Sequence, residues 1–185
     1  MFLLCANTDE VRELYPAGPQ ANPRGDTGVD LCFPIDGEVS GGETVMLDLG
    51  VRAVWLGPGG GPRAFFLMAR SSLARTPLML VNGVGLIDPG YRGTLKAAVW
   101  NRAPTPYRYS RGDSLFQVAA ADLSTAEFEV LPPGDVRIAT LFGATVRGAG
   151  GFGSTGARGG APPPGEGGGQ RGALGAGPQG RLALN

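Results

Sequence analysis

"RGAGGFGSTG", residues 147–156, contains the spacing G-x-G-x-x-G, and its reading decides between two kinds of fold. In a dinucleotide-binding α/β domain these glycines follow a strand and open a helix. An acidic residue that holds a ribose hydroxyl then comes about 20 positions later. Here the glycines run instead into residues 157–185, where Gly, Pro, Ala and Arg dominate and large apolar side chains are scarce. Such a segment cannot bury enough surface to offset its ordering entropy, so it is expected to be disordered and to start no helix. A Walker loop fails as well, because Gly153 is followed by Ser154 and not by lysine. What the stretch does offer is Arg147, backbone N–H groups, the hydroxyls of Ser154 and Thr155, and the aromatic face of Phe152. That inventory suits a triphosphate and a stacked base.

Upstream, turn signals come at short intervals, with apolar or alternating runs between them. The runs are residues 44–55, 63–69, 93–101, 114–123 and 126–131, and their lengths suit strands. Residues 55–63, "WLGPGGGPR", read as a long hairpin tip. The expected fold is all-β, a jelly-roll-like sandwich or barrel, with one short helix over residues 71–80 limited by Pro77. The expected organisation is a β domain over 1–146, a mobile clamp over 147–156 and a tail over 157–185.

Composition narrows the chemistry. The chain has 185 residues, enough for one domain with a proper core. Its 16 basic and 16 acidic residues cancel, so no net field draws it to nucleic acid or a membrane surface. With no histidine, imidazole catalysis and histidine metal ligation are excluded, and Cys5 and Cys32 are too few for a disulfide framework. No run approaches the ~18 apolar residues of a membrane span, and "MFLLC" is too short for a signal peptide. A soluble, intracellular protein is expected.

Four further stretches carry more polar residues and glycines than sheet filler needs. "DTGVDLCF" sets Asp30 after a turn at Gly28. "ARSSLAR" groups Arg70, Ser71 and Ser72, a donor set that grips phosphate oxygens. In "NGVGLIDPGYRG", Asn82, Asp88 and Tyr91 can face one pocket. "RGDSLFQVA" is a turn and strand with Gln117 three residues past a hydroxyl.

Together with residues 147–156, these stretches, in this order and at this spacing, resemble the five motifs of the trimeric dUTPases. The resemblance runs over Gly28–Leu31, 70–74, 85–93, 111–117 and 147–156. It implies hydrolysis of dUTP to dUMP and pyrophosphate, which keeps uracil out of DNA, by attack of water on the α-phosphorus with Mg²⁺ on the triphosphate. Asp88 would hold and deprotonate that water. Tyr91 would pack on the deoxyribose, and Asn82 and the backbone near Gly85 would read the uracil edge. Arg70, Ser71, Ser72 and Gln117 would hold phosphate oxygens. Asp30 would orient waters around the metal, or else serve as a structural turn aspartate. Arg147, Phe152, Gly153, Ser154 and Thr155 would close over the nucleotide, lent by one subunit of a homotrimer to another.

The sister family of dCTP deaminases shares features of "RSSLAR" and "DPG". It needs a glutamate on the strand after the third motif, where this chain has Ala98. An idle nucleotide-sensing protein is a further alternative, although every residue with a named role is present. Two "RGD" triplets, at 24–26 and 111–113, read as turns. Arg158, Arg171 and Arg181 are too dispersed for nucleic-acid binding to be expected.

Overall fold

The computed structural model describes residues 1–150. Its strands follow one another closely along the chain. They are β1 (Phe2–Ala6), β2 (Gly18–Gln20), β3 (Gly28–Leu31), β4 (Gly37–Val39), β5 (Thr44–Asp48), β6 (Val51–Leu56) and β7 (Pro62–Arg63). The second half adds β8 (Phe65–Ala69), β9 (Leu78–Leu80), β10 (Gly85–Ile87), β11 (Lys96–Asn101), β12 (Tyr107–Tyr109), β13 (Phe116–Ala120) and β14 (Phe128–Val130). They form four sheets, ordered β2-β14-β1-β6-β7, β10-β8-β13-β3, β5-β11-β9 and β12-β4. The pairings are antiparallel except that of β1 with β14. The all-β expectation therefore holds.

Alternation makes the core. Along β3, Val29 and Leu31 point inward while Asp30 points out, and β13 sends Phe116 and Val118 in while Gln117 faces out. Phe2, Phe33, Phe65 and Phe116 are fully buried where the sheets meet. Burying one such side chain stabilises the fold by roughly 1.5–3 kcal/mol. Asn101 is buried too. Its amide donates to the carbonyls of Val39 and Thr105, both at 2.9 Å, so one polar side chain ties β11 to β4 and to the following loop.

The expected strand over residues 44–55 divides in two. Gly50 adopts φ +71°, a left-handed conformation that turns the chain from β5 into β6. The expected hairpin tip at residues 55–63 is present, with Trp55 opposite Arg63 and Leu56 opposite Pro62. The helix expected over 71–80 is shorter, a 3-10 turn at Ser71–Arg75. Thr76 precedes Pro77 and is therefore extended, at φ −116° and ψ 163°, after which the chain continues as β9. Two α-helices were not anticipated: α1 (Asp9–Arg12) and α2 (Val136–Phe142). Each starts at an acceptor side chain, Thr8 and Asp135 respectively, that takes a hydrogen bond from the first turn. Phe142 of α2 closes a small second core with Leu3, Cys5, Val54 and Leu131. Among the described residues no helix is long and apolar enough to cross a membrane.

Candidate active site

Strand register builds one half of the site. Across the outer face of the β8-β13-β3 ladder, Gln117 stands opposite Asp30 on one side and Met68 on the other. Immediately after β8, Arg70 extends its guanidinium back over this face. Its Nε lies 2.8 Å from Asp30 Oδ1, and its Nη1 donates to the Ser114 carbonyl at 2.8 Å. Gln117 Nε2 donates to the Ala69 carbonyl at 3.2 Å, which leaves its carbonyl oxygen near Gly28. A Cβ at Gly28 would stand 2.0 Å from that oxygen, so the glycine of the first motif exists to let Gln117 lie across the strand. Partial burial pushes the Asp30 carboxyl above its usual range, against the opposing pull of Arg70. Asp30, Arg70, Ser71 and Gln117 line one side of a broad trough of about 1010 Å³. Ser72 does not line it, because its hydroxyl donates to the Ser114 carbonyl at 3.3 Å.

Turns build the other half. From β9 the chain passes through the left-handed Gly83 (φ +64°) into β10, which pairs with β8 so that Gly85 faces Leu67. A second turn follows at once, with Tyr91 N–H donating to the Asp88 carbonyl at 3.0 Å. The Tyr91 hydroxyl donates to the Thr94 carbonyl at 2.8 Å and lies where a Cβ on Gly93 would be, 2.4 Å away. Burial pushes the Tyr91 phenol up, and the Asp48 carboxylate adds to the shift. Asn82, Gly85, Asp88 and Tyr91 converge on a narrow pocket of about 220 Å³, walled by Leu67, Leu86 and Ile87.

Arg147 also lies in this pocket. Its Nη2 is 3.1 Å from Asp88 Oδ2, while its Nε is buried without a hydrogen-bond partner. The segment around it is docked: Gly148 N–H donates to Thr145 Oγ1 at 3.0 Å, and Arg92 N–H donates to the Gly148 carbonyl at 2.8 Å. Thr145 Oγ1 also donates to the Gly90 carbonyl. The expected phosphate ligand Arg147 thus stands with Asp88, away from Arg70 and Gln117. Phe152, Gly153, Ser154 and Thr155 lie outside the described residues, as does the tail 157–185.

The trough and the pocket share no lining residue. Two pocket residues lie outside the motifs seen in the sequence: Lys96, whose position opening a strand hides its place in the site, and Leu67, which reads simply as core. On the strand after the third motif, Ala98 is buried, and Lys96–Asn101 carries no carboxylate. Among the described residues, no three His, Cys, Asp or Glu side chains form a metal-binding cluster.

The all-β fold is not the α/β architecture that a dinucleotide-binding fingerprint requires. The family model for dUTPase matches residues 17–156, and the chain belongs to the dUTPase family. It is 36% identical over 159 residues to a deoxyuridine 5'-triphosphate nucleotidohydrolase of African swine fever virus, covering 84% of this chain and 93% of the relative. A relative of the same name from Shewanella amazonensis is 33% identical over 147 residues, covering 78% and 89%. Among solved structures, a dUTPase from phage phi11 of S. aureus superposes with a TM-score of 0.51 at 17% identity, covering 72% of this chain and 92% of that one. That likeness concerns the fold.

Proposed function

We propose that this protein hydrolyses dUTP to dUMP and pyrophosphate. The observation that carries the proposal is the convergence of Asn82, Gly85, Asp88 and Tyr91 on one narrow pocket in a chain of the dUTPase family. The pocket holds the deoxyuridine. Tyr91, fixed over Gly93, packs on the sugar, and Asn82 with the Gly85 backbone reads the base edge. Asp88 Oδ accepts a proton from the water that attacks the α-phosphorus, the one step that requires a base. Arg70, Ser71 and Gln117 take phosphate oxygens, and a guanidinium is suited to the task because its N–H groups form a rigid fork. Ser72 supports Arg70 through their shared acceptor, the Ser114 carbonyl.

Magnesium fits this donor set. Mg²⁺ keeps several waters and binds through substrate phosphates, so a cage of protein carboxylates is not required. Asp30, half-exposed on the trough wall, would accept hydrogen bonds from its waters. When bound, the ion neutralises charge developing on the phosphates.

The assembly is a homotrimer with shared sites. Two features support it: pocket and trough share no lining residue among the described residues, and apolar side chains near the pocket are exposed. Val81, Val84 and Leu86 are 50%, 46% and 65% exposed, and Met79 and Trp100 form an exposed pair across β9 and β11. One subunit's pocket completed by another's trough uses both features. Arg147 leaves Asp88 when nucleotide arrives and turns to the phosphates, freeing the base as the clamp closes.

Product analysis with Mg²⁺ and, separately, dUTP, dCTP, dTTP and UTP tests the proposal. Pyrophosphate and dUMP from dUTP alone are expected. Deoxyuridine nucleotides from dCTP would make the protein a deaminase despite Ala98, and dUTP binding without turnover would make it a sensor.

A further inference from the structure

The first "RGD" triplet, residues 24–26, is a turn with Gly25 at φ +75°, and Arg24 and Asp26 line the trough. The turn is held without help from the arginine side chain. Gly25 N–H donates to the Asn22 carbonyl at 3.1 Å, and Asp26 N–H donates to Asn22 Oδ1 at 3.1 Å. Asn22 Nδ2 in turn donates to the carbonyls of Asp26 and Ala126, and Ala126 N–H donates to the Asp26 carbonyl at 3.0 Å. These bonds fix the turn to the chain just ahead of β14. Among the described residues, the one ion pair of Arg24 is with Asp26, Nε to Oδ2 at 3.2 Å, between side chains 86% and 55% exposed. A pair that exposed contributes almost nothing to stability, so holding the fold does not explain Arg24.

Strand register shows what Arg24 flanks. β3 pairs with β13 from Leu31 opposite Phe116 to Gly28 opposite Ala119, and Ala69, the last residue of β8, also stands opposite Phe116. Arg70 therefore enters the trough at the Leu31 end of β3, and the turn at 24–26 enters at the Gly28 end. The rung of Asp30 and Gln117 lies between them. Burial pushes the Asp30 carboxyl up, while Arg70 and, more weakly, Arg24 draw it down, so Arg24 is within electrostatic reach of the rung. Arg70 alone is a poor match for a triphosphate. Its Nε faces Asp30 and its Nη1 donates to the Ser114 carbonyl, so a carboxylate already offsets its charge. Arg147 is paired with Asp88 in the pocket. Among the described residues, Arg24 is the second cation of the trough, and its loose partner releases it at little cost.

We infer that Arg24 is a further substrate-binding residue, holding the phosphate of the triphosphate that lies farthest from the nucleoside. From Leu31 to Gly28 the strand spans roughly 10 Å. A chain of three phosphates, with an arginine side chain reaching in from each end, bridges that distance. A terminal phosphate also presents more free oxygens than an internal one, which suits the guanidinium fork. Arg24 thereby gives the trough a means of telling a triphosphate from a diphosphate. The inference rests on the trough being the phosphate site.

Arg24→Met tests it, with dUTP as substrate and dUDP and deoxyuridine as inhibitors that lack the terminal phosphate. Expected is a KM for dUTP raised about five- to tenfold, between the loss of an exposed ion pair and that of a charged hydrogen bond. Inhibition by dUDP and by deoxyuridine should stay within about twofold, as should kcat, since the contact removed is one of uniform binding. Arg24→Lys, which keeps the charge but not the fork, should raise KM by less. An unchanged KM in Arg24→Met overturns the inference. So does an equal loss for dUTP and dUDP, which would move the contact to an inner phosphate. A wild-type protein that binds dUTP more tightly than dUDP, with the difference erased by Arg24→Met, yet hydrolyses neither would sustain the inference while the proposed activity failed. One that turns over dUTP equally well with and without Arg24 keeps the activity and loses the inference.

Discussion

The trough and the pocket lie on the same molecule but are held by different physics. Asp30, Gln117 and Met68 owe their alignment to ladder register, which a strand cannot change without moving every residue it carries to the other face. Asn82, Asp88 and Tyr91 owe theirs to two successive turns, a left-handed Gly83 and the docked segment at Thr145–Gly148. The trough is therefore preorganised by the fold, while the pocket is assembled by contacts that can come apart. A phosphate site gains from rigidity, since charge must be met by fixed donors. On the proposed assignment, a base-reading site covered by a closing arm gains from the second arrangement.

The largest expected difference between the two halves is catalytic. Asp88→Asn keeps the shape of the pocket and removes the base, so kcat should fall by about 10²–10⁴-fold with nucleotide affinity nearly unchanged. Turnover close to wild type would strip Asp88 of its role. Next comes truncation before Arg147, which removes both the partner of Asp88 and the clamp. Activity should drop by at least about a hundredfold, while the oligomer, measured by light scattering, persists. Undiminished activity would show that the pocket is complete without the arm.

Two glycines put the comparison on equal terms, one in each half. Gly93→Ala would drive a Cβ to 2.4 Å from the Tyr91 hydroxyl, and moving the ring would break its hydrogen bond to the Thr94 carbonyl. Gly28→Ala would reach 2.0 Å from Gln117 Oε1, but that is the far end of a flexible side chain. Gly93→Ala should therefore cost kcat/KM about 100-fold and erode discrimination against UTP, whereas Gly28→Ala should cost about tenfold and leave discrimination intact. Equal losses would mean that the Tyr91 ring yields to the added methyl as readily as the Gln117 side chain does.

What could be read from the sequence follows the same division. Period-2 alternation marked the strands, and the stretch "NGVGLIDPGYRG" marked the pocket because Asn82, Asp88 and Tyr91 lie close together in it. The turn at Gly50 was hidden in an apolar run, since nothing in "VMLDLGVRA" says that its one glycine takes a positive φ. Helix α2 carried a signal that went unused: "PGDVRIATLF" sets Asp135 as a cap before an apolar periodicity. Lys96 and Asp48 were illegible, because their nearness depends on the register of β5 against β11, which only the folded sheet supplies. Arg147 was legible as a functional residue but not as the partner of Asp88, since that contact arises from the docking of the arm.

The smallest expected effect concerns the root of that arm. Arg137 at the start of α2 grips Glu129 of β14 through two hydrogen bonds of 2.7 Å and also reaches Asp135 at 2.7 Å. Hydrogen bonding to Arg137 holds both carboxyls below their ordinary range. Because the folded state lowers these values, the stability they contribute is fully present above the ordinary carboxylate range and is lost as pH falls through the lowered ones. Arg137 is 38% exposed, so water screens the network and its contribution is small. Arg137→Met should thus melt a few degrees below wild type near pH ~7, and the gap should narrow at a pH below the ordinary carboxylate range. Turnover should stay within about twofold if α2 remains seated on Leu3, Val54 and Leu131. A gap that stays the same at both pH values would assign the stabilisation to packing of the arginine stem, and the arm would then be rooted by apolar contact alone.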